Sequence, residues 1–212
     1  MPSVSHGEFV GLLASVDQLI DMHERLQSGR GRRHKQDALH RAGVVLTVAA
    51  WQAYVEKVLD EALDKISDDL DNPPGGIASP NWAKHTFKMR RAAIRNNISK
   101  FNTPNSENVR TLLRDAVDFD PWPFWEYRTG PRQWSSVEVR TRTNKWILVR
   151  HSVAHGFPLP GDVAWLQDDN GNPRLTLGLL KECRKHFVHL VNQTDSAFSA
   201  HLSAQHGIVA PW

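Results

Sequence analysis

The stretch VVLTVAAWQAYVEKVLDEALDKI, residues 44–66, decides the fold class. Val44, Val45, Val48, Trp51, Val55, Val58, Leu59, Ala62 and Ile66 return every three or four residues with no breaker between them. That is the period of a helix burying one long stripe. The run Asn72-Pro73-Pro74-Gly75-Gly76 must end it, because proline has no N–H to donate and glycine weakens a helix. A helix so long and so apolar along one side needs other elements to cover it.

The flanking sequence supplies them. Upstream, Phe9, Leu12, Leu13, Val16, Leu19, Ile20, His23 and Leu26 repeat the period, predicting an N-terminal helix within residues 1–30 that ends near Gly29. Ser5 and Glu8 have the spacing of a capping box for it. Downstream, a third helix is predicted from about Trp82 to Phe101, with Phe87, Ile94 and Ile98 apolar. Thr103-Pro104-Asn105-Ser106-Glu107 reads as the start of a fourth, continued by Val109, Leu112, Leu113, Ala116 and Val117. Asp120-Pro121-Trp122-Pro123-Phe124-Trp125 is too proline-rich for regular helix and reads as a rigid aromatic loop over the core. Ser135 or Ser136 can cap a further helix that stops at Gly156, and a last helix spans about residues 177–204. Between them Ala164-Trp165-Leu166 and Arg174-Leu175-Thr176 flank Asp168-Asp169-Asn170-Gly171, where Asn-Gly is a strong hairpin turn signal. The expectation is an all-α, up-and-down helical bundle with one short β-hairpin insertion, formed by residues 1–212 as a single domain.

Composition narrows the function classes. Hydrophobic residues at 40% and charged ones at 23% are globular values. The net charge is only +3, but basic residues gather at Arg30 to Lys35, Lys84 to Arg95 and Arg140 to Arg150, and acidic ones at Asp60 to Asp71. Such segregation can make a phosphate-attracting surface, with Arg32, Arg33, Arg90, Arg91, Arg142 and Lys145 as candidate RNA-binding residues. The single cysteine, Cys183, suits a reducing compartment. The start lacks the pattern of a signal peptide, and no stretch was long and apolar enough to suggest a bilayer span, so a soluble cytoplasmic protein without membrane contact is expected. Cys183, His186 and His189 drift around their helix without a fourth ligand, and no Gly-rich phosphate loop or serine elbow occurs. Neither a metal nor a cofactor is expected.

The residues that carry chemistry are Arg150-His151-Ser152-Val153-Ala154-His155, followed by Gly156 and by Pro158 and Pro160. Trp146, Val149 and Val153 form one stripe of this helix, assigned to the core. Asn144, Leu148, His151 and His155 form a second on roughly the opposite side, a candidate subunit interface. Arg150 lies about 140° from His155 on an ideal helix. The two meet only if the last turn unwinds at Gly156 or if a second protomer brings its motif alongside. RNA cleavage needs a base for the 2′-hydroxyl proton, an acid for the 5′-oxygen, and positive charge for the phosphorane. Histidine can serve as base or acid, and arginine offers several donors to phosphate oxygens.

The six-residue motif resembles the Arg-polar-x-x-x-His signature of the HEPN superfamily. Ala49-Ala50-Trp51-Gln52-Ala53-Tyr54-Val55-Glu56 and Phe101-Asn102-Thr103-Pro104-Asn105-Ser106-Glu107-Asn108-Val109 resemble its RiboL-PSP-type branch, in fragments from Arg41 to Phe198. The resemblance implies a helical bundle dimerising through the motif helix. It also implies a metal-independent endoribonuclease that leaves 2′,3′-cyclic phosphate and 5′-hydroxyl ends, often in a toxin-antitoxin or anti-phage defence setting. Arg150 and His155 would be the catalytic pair, with His151 at the polar position and Glu56 and Asn144 as supporting residues. The alternative is a catalytically inactive homodimer that binds RNA or a protein partner; a third reading is an active toxin silenced by an antitoxin over the same cleft.

Overall fold

A computed structural model describes residues 1–25, 36–73, 76, 79–130, 132–209 and 211–212, and only the backbone of Thr129 and Arg132. The basic stretch holding Arg32 and Arg33 lies outside the described residues. Six α-helices are present among those described: α1 (Val4–Arg25), α2 (Asp37–Asp71), α3 (Asn81–Ile98), α4 (Ser106–Val117), α5 (Ser136–Ala154) and α6 (Leu177–His206). The all-α expectation holds.

α2 is the central helix, as its unbroken period required. Val44, Val48, Trp51, Val55, Val58, Leu59 and Leu63 are buried along it. α1 runs antiparallel beside it, with Phe9 edge-on to Tyr54 near one end (6.1 Å) and His23 against His40 near the other (4.8 Å). α6 runs parallel to α2 and also packs against α1: Gly43 faces Leu180, Trp51 faces Phe187 at 5.9 Å, and Arg184 of α6 donates to Asp17 of α1 (2.8 Å). A β-carbon on Gly43 would come within 2.6 Å of the Leu180 side chain, so any larger residue there would displace that side chain where α2 approaches α6. Trp51 also stacks on Tyr54, meets Trp125 edge-on, and donates its indole N–H to the Pro104 carbonyl (3.0 Å).

Hydropathy alone would misread this helix. α2 contains an 18-residue window of mean hydropathy 1.2, long and apolar enough by composition to cross a membrane. This corrects the expectation that no such stretch exists. Since 56% of the window is buried inside the molecule, the apolar stripe is explained by core packing.

Two local expectations are also corrected. The capping box at Ser5 and Glu8 is not formed. Ser3 caps α1 instead, accepting from the His6 N–H (2.9 Å), while Ser5 donates to Glu61 (2.7 Å) and Glu8 pairs with Lys57 (2.5 Å). Both side chains are drawn to α2 by better partners than their own backbone. The β-hairpin is displaced as well. It is formed by β1 (Tyr127–Thr129) and β2 (Arg132–Trp134), antiparallel with Tyr127 opposite Trp134. Residues 164–176 carry a 3₁₀ turn (Ala164–Leu166), one bridge between Gln167 and Pro173, and a tight turn with Gly171 at φ +77°. Pro173 cannot donate to a ladder, and Trp165 leaves the strand direction to pack on Trp146 (4.3 Å).

The segregated charges largely answer one another. Basic α3 lies against the acidic end of α2: Arg91 pairs with Asp64, Arg95 with Asp60 (2.5 Å) and Asp64 (3.1 Å), and Lys84 with Asp71 (3.4 Å). Each such surface pair contributes only about 0–1 kcal/mol, so the pairs offset the charge of α3 locally.

Buried imidazoles make the fold acid-sensitive. Burial pushes the His40 pKa below its ordinary value, against the bond its Nδ1 makes to the Leu175 carbonyl (3.1 Å), and the adjoining His23 adds to the lowering. Burial lowers the His189 pKa too, partly offset by its bond to the Glu126 carbonyl (2.6 Å). The unfolded chain therefore takes up these protons first. Their stabilising contribution is complete above about pH 6.5, the ordinary imidazole pKa, and is lost as pH falls through the folded values. We expect the urea midpoint to fall between pH 7.5 and 5.5, above the carboxylate range, and to fall less steeply in His40→Asn. Identical slopes for the two proteins would show that His40 is not the group responsible.

Candidate active site

α5 presents the motif. Its N-terminus is fixed by a capping box: the Glu138 N–H donates to Ser135 Oγ (3.4 Å), and the Ser135 N–H donates to the Glu138 carboxylate (2.8 Å). The Ser135 hydroxyl and N–H hold the Glu138 carboxyl below its usual pKa. Ser135→Ala should lower unfolding stability by about 1 kcal/mol, read as a small shift in the urea midpoint with activity per folded molecule unchanged. Val139, Thr143, Trp146, Ile147, Val149 and Ser152 form the buried face. Asn144, Leu148, His151 and His155 are exposed on the other side, as the helical period predicts.

The helix ends where the motif ends. His155 is the C-cap (φ −101°, ψ 4°), and Gly156 takes the left-handed conformation at φ +70°. The Gly156 N–H donates to the Val153 carbonyl (3.3 Å) and the Phe157 N–H to the Ser152 carbonyl (2.8 Å). These two bonds make a Schellman turn, which a glycine at this position permits without strain. The turn brings three rings together. His151 and His155 lie 4.4 Å apart between centroids, and Phe157 lies 5.9 Å from each.

Arg150 is half-buried one residue earlier, and its Nε is buried with no hydrogen-bond partner among the described residues. It makes no ion pair or hydrogen bond to His155, so within one chain the turn at Gly156 does not unite the pair. No carboxylate pairs with Arg150 among the described residues, and a guanidinium can offer its terminal N–H groups to an anion.

The other candidates are held elsewhere. Glu56 accepts from Gln52 (2.9 Å), whose amide also donates to the Phe101 carbonyl, and no bond links it to the motif. Asn144 accepts from the Ser106 N–H (2.8 Å), tying α5 to the start of α4. Arg142 pairs with Glu182 (2.8 Å) and lies over the Trp165 ring at 3.7 Å, with Trp146 and Trp134 further out. Lys145 pairs with Asp162. Arg90 donates to the Asp115 carbonyl (2.6 Å). Thus Arg90, Arg91, Arg142 and Lys145 all have partners within the chain. Cys183 is buried, which raises its thiol pKa well above normal. No group of three metal-ligating side chains occurs among the described residues.

Sequence reasoning missed two features of this region: the ring of Phe157 beside the histidines, and the Arg142–Trp165 contact that pins the segment following the motif. The first had a legible signal, because the residue after a C-terminal glycine is where a Schellman turn places an apolar side chain.

The family model described as RiboL-PSP-HEPN matches residues 12–200, from α1 through most of α6. Neither the curated proteins nor the solved structures give a match.

Proposed function

The chain belongs to the RiboL-PSP-HEPN family, and we propose that it is a metal-independent endoribonuclease whose working site forms between the α5 helices of a homodimer. The observation carrying this reading is the exposed His151–His155 ring pair at the end of α5, directly after Arg150, whose buried Nε has no hydrogen-bond partner among the described residues. In this reading Arg150 of one protomer serves the partner subunit's His155, because the two do not bond within a chain; Leu148, 41% exposed, extends the His151–His155 stripe as the apolar contact between protomers.

The steps follow from the residue types. One imidazole takes the proton from the 2′-hydroxyl, and the 2′-oxygen attacks phosphorus. The bond from phosphorus to the 5′-oxygen breaks, and an imidazolium supplies the proton that this oxygen needs. The guanidinium donates to the non-bridging oxygens as their charge grows. The products carry a 2′,3′-cyclic phosphate and a 5′-hydroxyl. The biological setting in this reading is toxin-antitoxin or anti-phage defence, with an antitoxin or defence partner covering the cleft until release.

The test is incubation of the dimer with total RNA in EDTA, followed by chemical identification of the ends. Cyclic phosphate ends support the reading. The second reading is a non-catalytic dimer that binds RNA or a protein partner. It predicts binding without cleavage under the same conditions.

A further inference from the structure

Phe157 is placed where a nucleobase can reach it. The ring is 55% exposed, although the next residues of the same segment turn inward: Leu159 is 8% and Val163 2% exposed. The segment therefore reaches the core, yet the larger apolar side chain stays outside it. Its position is fixed rather than free. The Schellman bond from its N–H, the left-handed Gly156 before it and Pro158 after it all restrict its backbone. Its ring lies 27° from parallel with the His155 ring at 5.9 Å, and the His151 ring completes the cluster.

An exposed aromatic face held beside two imidazoles matches a particular ligand. One part of the cluster is apolar and planar; the other carries the ring nitrogens of His151 and His155. Aromatic side chains in single-strand-binding proteins take a base by stacking on its π-face, and such contacts tolerate any base. A base inside a duplex is already stacked on both sides and has no face to offer. We infer that Phe157 stacks an unpaired nucleobase beside His151 and His155, which restricts the site to single-stranded RNA with little base preference. The inference rests on the nuclease reading for its substrate, but its test does not rest on turnover.

The probe is a short 2′-O-methyl oligo(A) carrying one 2-aminopurine, which lacks the nucleophile and so binds without being cut. Wild-type dimer should quench the fluorophore in the single strand and not in the annealed duplex. Phe157→Leu, which keeps an apolar contact but has no π-face, should weaken single-strand binding by about tenfold to a hundredfold. Phe157→Trp should restore it. Equal affinity for strand and duplex, or unchanged affinity and quenching in Phe157→Leu, would overturn the inference. So would loss of the dimer in Phe157→Leu with RNA affinity intact, which would assign the ring to the subunit interface. Cleavage of unmodified oligo(A) is scored separately. Stacking without cleavage rejects the nuclease reading alone, and cleavage indifferent to Phe157 rejects this inference alone.

Discussion

His155→Ala is expected to slow RNA cleavage by about 10²–10⁴-fold, with thermal stability and RNA affinity close to wild type. The size follows from losing one proton-transfer group. The preserved stability follows from position: His155 caps the end of α5 from an exposed site, and the carbonyl bonds there come from backbone N–H groups. Circular dichroism melting and filter binding of 2′-O-methyl RNA, measured beside the cleavage rate, separate these quantities. A variant that loses binding along with cleavage would make His155 a binding residue rather than a proton carrier.

Trp51→Ala is expected to have the largest effect on stability, about 3–5 kcal/mol. The side chain is fully buried where α2 meets Tyr54, Trp125 and Phe187, and its indole N–H satisfies the buried Pro104 carbonyl. The substitution leaves a cavity and strands an acceptor, so it combines two penalties. For a chain of this size the melting temperature should fall by about 10 °C or more. Trp51→Phe, which keeps most of the volume but not the donor, should fall between it and wild type. Leu148→Ala, on the exposed stripe of α5, should leave the monomer's stability unchanged. If Trp51→Ala melted like Leu148→Ala, the central position given to α2 would be wrong.

The helices were legible because their signals are local. α2 carries its apolar period without a breaker, Ser135 and Ser136 mark the start of α5, and Gly156 marks its stop. The hairpin was not legible. Asn170-Gly171 does turn the chain, but pairing of the flanks is decided by whether Trp165 stays in line, and Trp146 and Arg142 draw it away. Conversely, β1 and β2 are three residues each, too short to declare themselves. Their stability comes from outside, through the His189 ring on Tyr127 (4.5 Å) and the Arg142 guanidinium toward Trp134. The candidate site divides in the same way. Periodicity alone put Asn144, Leu148, His151 and His155 on one exposed stripe. The ion pairs of the basic residues were not legible, because the partners of Arg91, Arg142 and Lys145 lie in distant segments: α2, α6 and the stretch after the motif.

The proposed division of labour between protomers can be tested directly by mixing Arg150→Ala and His155→Ala proteins, each expected to be impaired alone, after reversible dissociation. In a mixed dimer one site would hold an intact arginine facing an intact histidine, and the other would hold neither. Recovery of metal-independent cleavage on mixing is the result expected of a site shared across the α5 interface. Mixed dimers that form but stay inactive would contradict it, confining any catalysis to residues of a single chain.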